Sequence, residues 1–127
     1  MKVGIVGLGL IGGSIALKLK DLFDKITIYG YDINHDSISF SIKNKIIDEK
    51  YDEDLLNELD YVFLAIPVES IKNQLQNYLD KISDRTLIID LGSTKFQICN
   101  SVENHKKRKN YLAAHPIAGT EFSGPGS

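Results

Sequence analysis

Residues 7–12 read GLGLIG, directly behind the apolar run MKVGIV at 1–6, and the reading of this turn decides the fold. The spacing is G-x-G-x-x-G. It fits either a turn that cradles a nucleotide or a loop that is only rich in glycine, so what stands at fixed distances downstream must decide. Ile11, Ile15, Leu19 and Leu22 recur at helical spacing after the glycines, predicting a helix of about three turns. A second strand, KITIYGYD at 25–32, ends in Asp32, twenty residues after Gly12. Strand, glycines, helix and a delayed acid together form a dinucleotide fingerprint.

Each part of the fingerprint has a physical task. Gly7 permits the tight turn, Gly9 lets backbone approach a diphosphate, and Gly12 lets the helix lie close on the strand. Leu8, Leu10 and Ile11 stand between them, and unpaired N–H groups at the helix start attract phosphate. Asp32 is placed to accept hydrogen bonds from the adenosine ribose; its charge repels a 2′-phosphate and favours NAD over NADP. A Walker-type loop is excluded, because Gly13 stands where its lysine belongs.

Outward from the turn, apolar runs alternate with amphipathic stretches. Strands are predicted at 3–6, 25–32, 61–66, 86–90 and 111–114. Between them a weaker helix over 34–47 carries Ile38 and Ile42, and a helical turn or two falls within 51–60. Val68, Ile71, Leu75 and Leu79 mark a further helix face, and a helix is expected over 93–105, capped by Ser93 or Thr94. This alternation predicts an α/β fold: one Rossmann-type, doubly wound parallel sheet filling a single domain over 1–127. The chain stops within a loop-like stretch, HPIAGTEFSGPGS, as the first part of a longer protein would.

Composition narrows the partners. Fifteen basic against seventeen acidic residues leave a net charge of −2, which argues against nucleic acid. The basic run HKKRK at 105–109 reads as a solvated helix end or loop. Cys99 is the only cysteine, in keeping with a reducing cytoplasm, and three scattered histidines give no metal spacing. The N-terminal apolar stretch is broken by five glycines and resembles neither signal peptide nor membrane span.

Ligands of open parallel sheets sit beyond the carboxyl ends of the strands. There the sequence puts the glycine turn, Asp32, then Pro67 and Val68 as an apolar wall, then Ser93 and Lys95, then His115 and Glu121. His115 can take a proton while a hydride leaves the neighbouring carbon, or it can be a structural histidine bonded to backbone. Ser93 is a helix N-cap or a partner of the imidazole or substrate. Lys95 is a solvated lysine or a ligand contact. Glu121 is a surface carboxylate, a loop anchor or a selector of substrate groups, and Asp90 is read as holding nearby backbone.

In this order GLGLIGGSIALKL, YGYD, DLGSTK and HPIAGTEFSG resemble the prephenate dehydrogenase family across essentially the whole chain, as that family's N-terminal domain; the last stretch is the most specific. The resemblance implies NAD-dependent oxidation of prephenate, or of its amino analogue arogenate, on the route to tyrosine. A hydride leaves the ring carbon bearing the hydroxyl and the ring carboxylate departs as CO2. It implies that His115 is the catalytic group polarising that hydroxyl, that Ser93 orients it, and that Glu121 stands at the mouth of the site. It also implies a helical C-terminal domain, absent here, that forms a homodimer and supplies cations for the substrate carboxylates. Lys95 alone is a thin supply, so the chain is expected to bind NAD and to turn over prephenate poorly by itself. Two other readings remain open: another dehydrogenase of a hydroxy or imino acid, and a non-catalytic NAD-binding module that would not need His115.

Overall fold

A computed structural model describes residues 1–91, 102 and 104–114, leaving aside the side chain of Val68. Six parallel strands form one sheet: β1 (Lys2–Val6), β2 (Thr27–Tyr31), β3 (Glu49–Lys50), β4 (Tyr61–Leu64), β5 (Leu87–Asp90) and β6 (Tyr111–Ala113). Their order is β3-β2-β1-β4-β5-β6. The chain therefore winds outward from β1 in one direction, returns to place β4 on its other side, and winds outward again. The helices are α1 (Leu10–Leu22), α2 (His35–Lys43) and α3 (Val68–Lys81), with short 3-10 turns at Glu53–Glu58 and Arg108–Asn110. This is the expected doubly wound α/β architecture.

Period-two alternation gives the sheet two apolar faces. Val3 and Ile5 of β1 join Ala16, Ile28, Ile38 and Ile47 in one core. Val6 joins Val62, Leu64 and Ile88 in the other, where Ile71, Leu75 and Leu79 of α3 are completely buried. The face predicted for α3 is thus the observed one at its three described positions. The helix predicted after the glycines is α1, but its apolar spacing does not mark the buried face. Ile11 is 44% and Leu22 61% exposed, and the helix instead presents Gly12 and Ala16, flanked by Ile15 and Leu19. Small residues bring the helix axis close to the sheet, which leaves the larger side chains at its rim.

Other boundaries differ in instructive ways. β2 begins at Thr27, not Lys25, and β4 ends at Leu64. α2 stops at Lys43, where Asn44 ends the helix and Lys45 takes a left-handed φ of 59°. Of the helix expected over 93–105, only Val102, Asn104 and His105 are described; they form a turn in which the His105 N–H donates to the Val102 carbonyl. The basic run after it is pinned: His105 Nε2 meets Asp80 at 2.6 Å, Lys107 donates to the Ile82 carbonyl, and Arg108 stacks 5.0 Å from the centre of the Tyr111 ring. Among the described residues no helix is long and apolar enough to cross a membrane.

The sixth strand, β3, was not predicted. Glu49 and Lys50 are both exposed and carry no apolar alternation. Their neighbours fix the pairing. The Asp48 N–H donates to the Ile28 carbonyl and the Tyr51 N–H to the Gly30 carbonyl. The Asp48 carboxylate accepts the Ile28 N–H and Lys20 Nζ, each at 2.8 Å, so one side chain joins α1, β2 and β3. Burial raises the Asp48 carboxyl, but the Lys20 ammonium and the Ile28 N–H outweigh it and hold the group below its ordinary range.

Leu75→Ala should cost about 2–5 kcal/mol in urea unfolding, because its fully buried site sits between α3 and the sheet. Asp48 gives a pH signature. With its folded value depressed, its stabilisation is complete above the unfolded value of about 3.9 and is lost as pH falls through the folded value. Asp48→Asn should therefore be less stable than the parent at neutral pH, with the gap closing in acid. A gap constant with pH would assign the effect to shape instead of charge.

Candidate functional site

The site grows from the end of β1. Gly7 takes a φ of 100°, and its N–H donates to the Tyr31 carbonyl at 2.7 Å. A Cβ at Gly7 would lie 2.2 Å from the Ala65 carbonyl oxygen, and one at Gly12 would lie 1.8 Å from the Gly7 carbonyl oxygen. The end of β1, the end of β4 and the first turn of α1 are in backbone contact here. Gly9 differs: nothing comes within 4 Å of where its Cβ would stand. It is the N-cap of α1, which has no side-chain cap and no acid in its first turn. The open space and the N–H groups at that helix end suit an anionic group held by backbone.

Asp32 closes the opposite wall. One carboxylate oxygen accepts the Leu8 N–H at 2.7 Å and the other the Asn34 N–H at 2.9 Å. The Asn34 side chain in turn accepts the Asp36 N–H and caps α2. Between these walls, where the winding of the sheet reverses, runs a cleft of about 310 Å³ bounded by Gly7, Gly9, Asp32, Pro67, Ser70 and Gln74 among others. It continues past Tyr31, Ile33 and Gln74 into a cavity of about 780 Å³ walled by Asp52, Glu53, Asp54 and two more tyrosines. Burial, then the charge of Glu53 and the neighbouring Tyr31, pushes the Tyr78 hydroxyl up to about 12. Burial followed by Tyr78, Glu53 and Asp52 raises the Tyr51 hydroxyl too. Both phenols are protonated at neutral pH; the Tyr78 hydroxyl donates to Gln74, the Tyr51 hydroxyl is buried, and Lys50 stands among the three carboxylates.

Of the residues predicted from sequence, Gly7, Gly9, Asp32 and Pro67 come together on the cleft. Leu8 contributes its N–H, while its side chain is buried in the core on the α1 side. Gly12 lies behind the turn, and Leu10 and Ile11 are exposed where α1 begins. Val68 starts α3. Ser93, Lys95, His115 and Glu121 lie outside the described residues. The strands that lead to them end level with the turn, since Val6 pairs with both Tyr31 and Leu64, Leu64 with Asp90, and Asp90 with Ala113. Asp90 is fully buried and accepts the Tyr111 hydroxyl at 2.7 Å, tying β5 to β6.

Sequence reasoning missed Tyr31, Ile33, Ser70 and Gln74. The signal was present: Tyr31 and Ile33 flank Asp32, and Ser70 and Gln74 follow Pro67 at steps of three and four, one face of α3.

Comparison with known proteins agrees with this geometry. The family model described as prephenate dehydrogenase, nucleotide-binding domain, matches residues 15–127. The prephenate dehydrogenase of Bacillus subtilis (strain 168) is 34% identical over 124 residues, covering 94% of this chain and 33% of that protein. A crystal structure of prephenate dehydrogenase from A. aeolicus in complex with hydroxyphenyl propionate and NAD+ superposes with a TM-score of 0.82 at 36% identity, over 96% of this chain and 43% of that one. The Synechocystis arogenate dehydrogenase gives a TM-score of 0.79 at 28% identity, over 94% and 42%. The chain thus spans less than half the length of these relatives.

The second and third glycines of the turn should respond differently to a methyl group. Gly12→Ala, forced against the Gly7 carbonyl, should lose about 1–3 kcal/mol of unfolding free energy in urea, whereas Gly9→Ala should stay within about 0.5 kcal/mol of the parent.

Proposed function

This chain belongs to the prephenate dehydrogenase family, as its nucleotide-binding domain, and we propose that it binds NAD in the cleft over the glycine turn and serves the oxidative decarboxylation of prephenate to 4-hydroxyphenylpyruvate on the route to tyrosine. The observation that carries the reading is the cleft itself, with Gly7 and Gly9 on one wall, Asp32 on the other and the uncapped start of α1 beside it. The NAD+ held by the A. aeolicus relative supports it.

The residues fit a dinucleotide. The first N–H groups of α1 receive the diphosphate, and the space at Gly9 admits it without a Cβ in the way. Asp32 keeps acceptor capacity for ribose hydroxyls beyond its two backbone bonds. Asp32 stands on the cleft wall at that end, and its carboxylate repels a 2′-phosphate, which favours NAD over NADP. When bound, the coenzyme supplies a hydride acceptor. His115 then holds the proton of the substrate hydroxyl while the carbon–hydrogen bond breaks, and Ser93 orients the imidazole. Loss of CO2 restores that proton to the oxygen as the ring becomes aromatic. Lys95 and Glu121 are assigned to the substrate side. Arogenate is the alternative substrate, supported by the Synechocystis relative. Binding of both substrate carboxylates and dimerisation are assigned to the full-length protein, acting in the cytoplasm, where the lone Cys99 stays reduced.

Calorimetric titration should show NAD+ binding more tightly than NADP+, and adding prephenate or arogenate to the NAD+ complex should identify the substrate. In the full-length protein, His115→Asn should lower kcat about 10²–10⁴-fold with NAD+ affinity unchanged. Undiminished turnover would make His115 structural, and equal affinity for both coenzymes would remove the electrostatic argument.

A further inference from the structure

The carboxylate of Asp32 is already engaged without any ligand. Its two oxygens hold two backbone N–H groups from separate segments, Leu8 in the glycine turn at 2.7 Å and Asn34 at the entry to α2 at 2.9 Å. On either side of that bond the turn is fastened independently: the Gly7 N–H reaches the Tyr31 carbonyl, and the Leu8 side chain is only 8% exposed. The Leu8 N–H is therefore held facing Asp32. Were the acceptor lost, this partly buried donor would go unpaired, and the turn would have to shift to satisfy it. Hydrogen bonds to an ionised carboxylate are about twice as strong as neutral ones, so the loss is considerable.

We propose that Asp32 is a positioning residue for the glycine turn as well as an acceptor for the ribose. Through the Leu8 N–H it fixes the loop that receives the diphosphate, and through the Asn34 N–H it couples that loop to the cap of α2. An ionised carboxylate has about four lone-pair sites, two of them taken here, so both tasks fit on one group. Exchanging Asp32 to admit a 2′-phosphate would then remove repulsion and loosen the phosphate cradle together. The inference rests on the nucleotide reading above, and the test separates the two.

In the full-length protein, affinities are measured for NAD+ and for an analogue lacking both adenosine ribose hydroxyls, with the parent and with Asp32→Ala, which leaves no acceptor for the Leu8 N–H. If Asp32 positions the turn, the substitution weakens the analogue about tenfold or more, as it weakens NAD+. If Asp32 acts only through the ribose, the analogue binds parent and variant equally and the proposal falls. Asp32→Glu keeps the charge but displaces the carboxylate; it should weaken the analogue in the same way, and serves if the alanine variant does not fold. Amide exchange in the free protein supplies the independent measurement. The Leu8 amide should exchange about tenfold faster in either variant while the buried Leu64 amide keeps its rate, and an unchanged Leu8 rate would overturn the proposal. If the parent does not bind NAD+, the nucleotide reading fails and the Leu8 rate alone decides this inference.

Discussion

Where β1 ends, the carbonyls of Gly7 and Ala65 and the first turn of α1 approach so closely that no Cβ fits at position 7 or 12. This contact fixes the rest of the carboxyl edge. It sets the first helix low on the sheet and so places Ala16 in the core and the larger side chains of α1 at the rim. It draws the ends of β1 and β4 together at the point where the winding reverses, and the divergence of the chain from there leaves the cleft. Density at the turn and emptiness beside it have one cause.

The part of this design that depends on periodicity was legible in the sequence. Ile71, Leu75 and Leu79 repeat every four residues and lie at the bottom of the core. Val3 and Ile5 alternate with Val6 and divide between the two faces. Asp32 was found by distance from Gly12, because the length of one strand–helix–strand unit is nearly fixed. What was hidden depends on partners instead of pattern. Glu49 and Lys50 form a strand through hydrogen bonds made by Asp48 and Tyr51, which no hydrophobic count detects. Ile11 and Leu22 satisfy the helical spacing and still face outward, since residues as small as Gly12 and Ala16 can outcompete them for the closest approach.

The site was legible in a similarly divided way. Its glycine turn and acid stand together on the cleft as read. Its apolar and amide-bearing side, Ile33, Ser70 and Gln74, becomes visible only when α3 is laid against the end of β2. The second task of Asp32 is invisible in sequence altogether, because a carboxylate bonded to two backbone N–H groups from separate segments leaves no residue-type signature.

The outermost strand beside β2 has a further consequence. It is only two residues long, both charged, and its pairing is anchored by Asp48, itself bound to a lysine. A stranger's extended backbone seeking a template to continue the sheet finds there too short a row of free peptide groups, fringed by charge, to settle on. Brevity at this border thus protects the protein from being lengthened into a fibre, at the cost of a strand that contributes almost nothing to its interior.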